Sequence, residues 1–208
     1  MQPEGKSPVS RQPDEVRRRI LDAAEAEFMA EGYEAASTNR IVTRFAGSKA
    51  TLFRYYPTKE LLLQAVIERI AGDWRKCIDP SLMPADDPAS WLAEFGAATL
   101  DWILGDGPLF LGRLGISEGR KLPQLSHLFH DLAGAPLTNE VARQVARWRD
   151  EGRLRSDDPD ADARSYFDLV VAGAVSRALY GVERPRAQQL HAHVDHAVDI
   201  FLKGRGPR

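Results

Sequence analysis

The chain has 208 residues, with 28 Lys plus Arg against 30 Asp plus Glu and a formal charge of -2. Hydrophobic content of 43% and charged content of 28% are ordinary for a folded protein with a core, in one large domain or two small ones. No run of 18 apolar residues occurs, which excludes a membrane-spanning helix, and a pI near 6.2 excludes a protein that coats DNA by bulk charge.

Residues 1–12, polar and holding Pro3 and Pro8, read as a disordered arm. The stretch M-Q-P-E-G-K-S-P lacks a signal-peptide core, so the cytoplasm is the expected location. From Asp14, apolar residues recur as Val16, Ile20, Ala23, Ala24 and Phe28, a spacing that predicts an amphipathic helix stopped by Gly32. Thr38 is the expected N-cap of a second helix with Ile41, Val42 and Phe45 inward. Ala46-Gly47 ends it. Ser48 caps a third helix, Lys49 to Tyr56, with Leu52 and Tyr56 inward and Lys49, Ala50, Thr51, Phe53 and Tyr55 outward. Pro57 breaks it, and Thr58 caps a fourth helix with Leu61, Leu62, Ala65, Val66 and Ile70 on its buried side.

A proline-rich loop from Asp79 to Ser90 follows. Beyond it the pattern predicts helices at 89–105, 107–118, 123–133, 138–152, 158–181 and 187–203. No stretch alternates with period two, so no sheet is expected. The reading is all-α, about nine helices, with an N-terminal unit at 13–72 and a larger one at 73–208. Cys77, the single cysteine, forbids an intrachain disulfide and is expected to be buried or half-buried.

Charge singles out one window. Between Ser37 and Lys59 lie Arg40, Arg44, Lys49, Arg54 and Lys59 and no acid, so the window carries +5 and the remainder -7. A local positive island suits phosphate, because charge beyond about 10 Å is screened at physiological salt. Its two short helices and tight turn form a helix-turn-helix, whose second helix can enter a major groove.

Here the residues resemble a known family. Ile20-Leu21-Asp22-Ala23-Ala24, Phe28, Glu31-Gly32-Tyr33, Thr38, Ile41, Ser48-Lys49-Ala50-Thr51-Leu52-Phe53 and Lys59-Glu60-Leu61 fall in the order and spacing of TetR-type transcriptional regulators, over about residues 14–70. Asp150 to Pro159 resembles, more loosely, one branch of that family's regulatory domains. Ala46 stands where the family usually has the turn glycine, and a positive φ there would cost of order 1 kcal/mol. Phe53 replaces the usual tyrosine, and Tyr55 occupies the usual histidine position.

The resemblance implies a homodimeric repressor that binds double-stranded DNA at a palindromic operator and is released by a small-molecule effector. Lys49, Thr51 and Tyr55, with Asn39 and Arg40, are the expected readers of bases or neighbouring phosphates. Thr38, Ser48 and Lys59 are expected phosphate anchors, and Arg54 is expected to contribute only field. The helices at 158–181 and 187–203 would pair with their symmetry mates, since their apolar stripes would otherwise face water. Expected ligand-contacting residues, among helices more often filled by plain core, are Trp102, Phe110, Arg113, Phe129, Trp148 and Phe167.

No cofactor or metal is expected. His127 and His130, and the cluster of His191, His193 and His196, lack the further donors of a first shell. An alternative is a helix-turn-helix regulator without a small-molecule ligand, governed by a protein partner or by abundance. An all-α enzyme finds no support in nucleophile–base pairs, glycine-rich phosphate loops or metal sets.

Overall fold

The computed structural model describes residues 11–84, 86–182 and 186–204, with no strand among them. The expected arm at 1–12 lies outside the described residues except for Arg11 and Gln12, which begin the first helix. Contacts divide the chain into two compact units, one ending at Arg69 and one starting at Ile70.

The N-terminal unit is built from α1 (Arg11–Ala35), α2 (Thr38–Arg44), α3 (Lys49–Tyr55) and the greater part of α4 (Lys59–Gly72). Gly32 interrupts α1 at φ 75 and ψ 170, a conformation that essentially only glycine adopts. Ile20, Ala24, Phe28, Ile41, Leu52, Leu62, Leu63 and Val66 fill the core. Thr58 caps α4 by accepting from the Leu61 N–H at 3.1 Å. Leu61 itself is exposed, contrary to the buried face assigned to it, because the helix turns Leu62 and Leu63 inward instead. Arg69 on α4 grips α1 through Asp22 at 2.7 Å, through the Leu21 carbonyl at 3.0 Å and through Glu25.

The C-terminal unit holds the single turn α5 (Trp74–Cys77), then α6 (Pro88–Ile103), α7 (Asp106–Glu118), α8 (Pro123–Phe129), α9 (Ala135–Asp150), α10 (Pro159–Phe167), α11 (Gly173–Leu179) and α12 (Ala187–Lys203). Asp87 and Asp158 cap α6 and α10, each with proline in the first turn. Two π-helical turns, His130–Gly134 and Asp168–Ala172, fuse α8 to α9 and α10 to α11. With each fused pair counted once and α5 set aside, nine helices are described.

The break predicted between 133 and 138 is absent, and the local chemistry explains how the chain runs on. Pro136 has no N–H to offer the Leu132 carbonyl four residues back. That carbonyl accepts from the Trp74 indole N–H at 2.9 Å instead, and the wide π turn makes room for the ring.

Trp91 forms the centre of this core, stacked on Phe95 at 4.7 Å and edge-on to Trp148 at 5.6 Å. Gly96 lets α6 approach closely: an added Cβ would lie 2.3 Å from the Tyr166 hydroxyl oxygen and 2.9 Å from Val194. The stripe Leu190, Val194, Ala197, Val198 and Phe201 of α12 is buried within the subunit. So are Tyr166, Val170 and Ala174. The apolar surfaces first assigned to a partner are therefore largely spent on the subunit's own core. Cys77 is exposed rather than buried, at the end of a helix too short to cover it.

Candidate nucleic-acid interface

The turn between α2 and α3 is set by three consecutive residues. Phe45 is buried, Ala46 takes φ +53, and Gly47 lies so close to the Phe45 ring that an added Cβ would sit 1.8 Å from it. The positive φ arises one residue before the glycine, so the anticipated strain at Ala46 is present. Ala46→Gly is expected to raise stability by about 0.5–1 kcal/mol, whereas Gly47→Ala should lower it, both read by thermal or urea melts.

The short third helix is held by its cap: the Ser48 hydroxyl accepts from the Thr51 N–H at 3.0 Å. Leu52 is buried beneath it. Lys49, Ala50, Phe53 and Arg54 are exposed, Phe53 at 42%. Thr51 is half-buried with its hydroxyl 3.0 Å from that of Ser48, and Tyr55 is half-buried with its hydroxyl 3.5 Å from the Pro13 carbonyl. The Arg54 guanidinium lies over the Tyr55 ring, 5.4 Å from its centroid. Neither Lys49 nor Arg54 has an acidic partner among the described residues.

On α2 the arrangement differs from the expectation. Ser37, not Thr38, occupies the N-cap position, and its N–H donates to the buried Glu27 carboxylate at 3.0 Å. Thr38 is the half-buried first residue of the helix, and Asn39 is exposed. Arg40 is engaged by Glu27 at 2.6 Å, Glu31 at 3.4 Å and the Ala35 carbonyl at 3.0 Å. Arg44 lies 3.5 Å from the other Glu27 oxygen. Lys59 donates to the Glu34 carbonyl at 3.1 Å and rests on the Tyr33 ring at 4.7 Å.

Glu27 was missed from the sequence. The signal was there: it continues the stripe Ile20, Ala23, Ala24 and Phe28, and a carboxylate on a buried stripe needs cationic partners. Burial pushes its pKa up, but the Ser37 N–H, the Arg40 hydrogen bond and the charges of Arg40 and Arg44 outweigh burial and hold it below the ordinary 4.5. Its stabilising contribution is thus fully present above 4.5 and is lost as pH falls through the lower folded-state value. Melts between pH 6 and 3 should show an acid loss of stability that is smaller in Glu27→Gln.

In the C-terminal unit, Trp102, Phe110 and Trp148 are buried, and Phe129 and Phe167 are half-buried. Arg113 donates to the carbonyls of Ala178 at 3.2 Å and Leu179 at 3.4 Å, closing the end of α11. None of these six lines the groove of about 650 Å³ between α6 and α12, bordered by Ala93, Ala97, Leu190 and Val194 with Glu94 and Asp195.

Comparison with known proteins places this geometry. Residues 20–66 match the bacterial regulatory proteins of the tetR family, and residues 90–204 match the C-terminal domain of AefR-like transcriptional repressors. The chain belongs to the TetR family of bacterial transcriptional regulators. This TetR-type chain is a DNA-binding transcriptional repressor, all-α with an N-terminal helix-turn-helix and a helical C-terminal domain. It is 26% identical over 191 residues to the HTH-type transcriptional repressor Rv1474c of Mycobacterium tuberculosis, covering 88% of this chain and 92% of that one. The fold is similar to that of a TetR-family regulator from Mesorhizobium loti, with TM-score 0.81, 22% identity and coverage of 97% and 100%. It is also similar to the flavonoid-responsive regulator FrrA, with TM-score 0.78, 21% identity and coverage of 94% and 99%. No helix among the described residues is long and apolar enough to cross a membrane.

Proposed function

We propose that this repressor acts in the cytoplasm as a homodimer on a near-palindromic operator, reading bases with α3 and leaving DNA when a small molecule binds the C-terminal unit. The observation that carries the reading is the exposed, capped α3, which presents Lys49, Thr51 and Tyr55 with no carboxylate in the window to oppose phosphate. Asn39 and Arg40 flank it from α2. Thr38, Ser48 and Lys59 stand at helix starts, where backbone phosphate would be met.

Dimerisation through the helices at about 158–181 and 187–203 rests on what those helices leave outside. Tyr180 is 79% exposed and Ile200 45%, while Ala172 at the end of the π turn and Gly173 and Ser176 of α11 are small, exposed residues that permit close approach. Release requires the effector to prefer a conformer whose recognition helices are wrongly spaced, since a ligand with equal affinity for both states shifts nothing. The side chains expected to meet the effector, Trp102, Phe110, Phe129, Trp148 and Phe167, are buried or half-buried aromatics, so an effector that reaches them is apolar and binds where that packing opens.

Footprinting on the DNA flanking its own coding region tests the reading. A two-fold symmetric protected site, with affinity falling steeply as salt rises, is the expected result. A monomeric mass in solution, or protection without symmetry, would refute the paired mode. A thermal-shift screen separates effector release from control by a protein partner or by abundance.

A further inference from the structure

We propose that Glu27 is a positioning residue that holds Arg40 and Arg44 as a two-arginine clamp for DNA backbone phosphate on α2. This rests on the DNA-binding reading above and extends it to Arg44, which has no role there, and to a carboxylate that never meets DNA. Glu27 is 1% exposed, and a carboxylate so buried is costly unless its oxygens are paired. Its partners are the Ser37 N–H at 3.0 Å and the Nε atoms of Arg40 at 2.6 Å and Arg44 at 3.5 Å.

The geometry of that pairing matters. Arg40 and Arg44 stand four apart on one face of a seven-residue helix, where two like charges repel. The anion between them offsets the repulsion. Arg40 donates from Nε to Glu27 at 2.6 Å and is held also by the Ala35 carbonyl and Glu31. Arg44 faces the other Glu27 oxygen as a 3.5 Å ion pair, and the two side chains stay 49% and 48% exposed. A guanidinium fixed along one edge keeps donors on the other in the planar fork that suits phosphate oxygens. Arg40 is thereby ordered before DNA arrives and Arg44 is biased toward the same anion, so less rotamer freedom is lost on binding.

Charge counting and positioning predict opposite signs, which makes the proposal easy to test. Glu27→Gln removes a buried negative charge beneath the two arginines. If Glu27 only subtracts charge, the variant binds more tightly with a steeper salt dependence. If it positions the arginines, binding weakens by about 10-fold and the plot of log affinity against log salt becomes shallower by about one phosphate. Arg44→Lys keeps the charge but cannot grip Glu27 and phosphate through one planar group, and should weaken binding by about 3- to 10-fold.

The probe is a 30-base-pair duplex selected by the wild-type protein from a randomised library, with Lys49→Ala as the reference variant. Either Glu27→Gln or Arg44→Lys binding at wild-type strength or tighter overturns the clamp. A melt checks that Glu27→Gln is folded; if it is not, Arg40→Lys and Arg44→Lys, both at half-exposed side chains, decide in its place. Failure of the wild type to select any duplex would refute the DNA-binding reading itself. Selection followed by weakened binding in Lys49→Ala alone would refute only the clamp.

Discussion

Replacing Lys49, Thr51 and Tyr55 together by alanine is expected to abolish sequence-specific DNA binding while leaving a folded protein. The three occupy a seven-residue helix anchored from below by the buried Leu52 and from its start by the Ser48 cap. The cap bond uses the Thr51 backbone N–H, which alanine retains. At about 1–3 kcal/mol per base contact, affinity falls by at least about 100-fold. Weak, salt-sensitive binding through the remaining cations should persist, because phosphate contacts carry no sequence information. Lys49→Ala alone divides the two roles. If Lys49 reads a base, the variant relaxes preference at one position of the site; if it holds a phosphate, the variant binds all sequences more weakly and to the same degree. Retained specificity in the triple variant, by gel shift, would remove α3 from the reading surface.

Trp91→Ala should produce the largest stability loss in the C-terminal unit. Its ring is fully buried between Phe95 and Trp148, and removing it leaves a cavity the neighbouring helices cannot fill. The cost is about 3–5 kcal/mol, which in a chain of this size lowers Tm by roughly 10 °C. Trp91→Phe should be far milder. The indole N–H of Trp91 has no hydrogen-bond partner among the described residues, so phenylalanine gives up volume but no bond. Scanning calorimetry on both variants checks the pair, and similar losses would mean that the N–H has a partner after all.

Much of the N-terminal unit was legible because local rules and tertiary packing agree there. The stripe from Ile20 to Phe28, the Ser48 and Thr58 caps and the inward Leu52 follow from spacing and chemistry that act within a few residues. Readings failed where a distant partner decided the outcome. The predicted break near residue 136 is bridged by Trp74, some sixty residues earlier, through a carbonyl that spacing does not reveal. Arg40 reads as a free cation until Glu27 is found beneath it. For the apolar stripes of α10 to α12, spacing alone does not divide what the same chain covers from what a second copy would cover. Here α6, with Gly96 permitting close approach, supplies much of that cover.

The exposure of Cys77, the chain's single thiol, has an experimental use. A maleimide or nitroxide reagent will modify one site per polypeptide without any mutagenesis, so every label–label distance in solution must join two separate molecules. A two-fold assembly should then give one narrow peak in a pulsed dipolar spectrum, and adding duplex or an effector should move that peak.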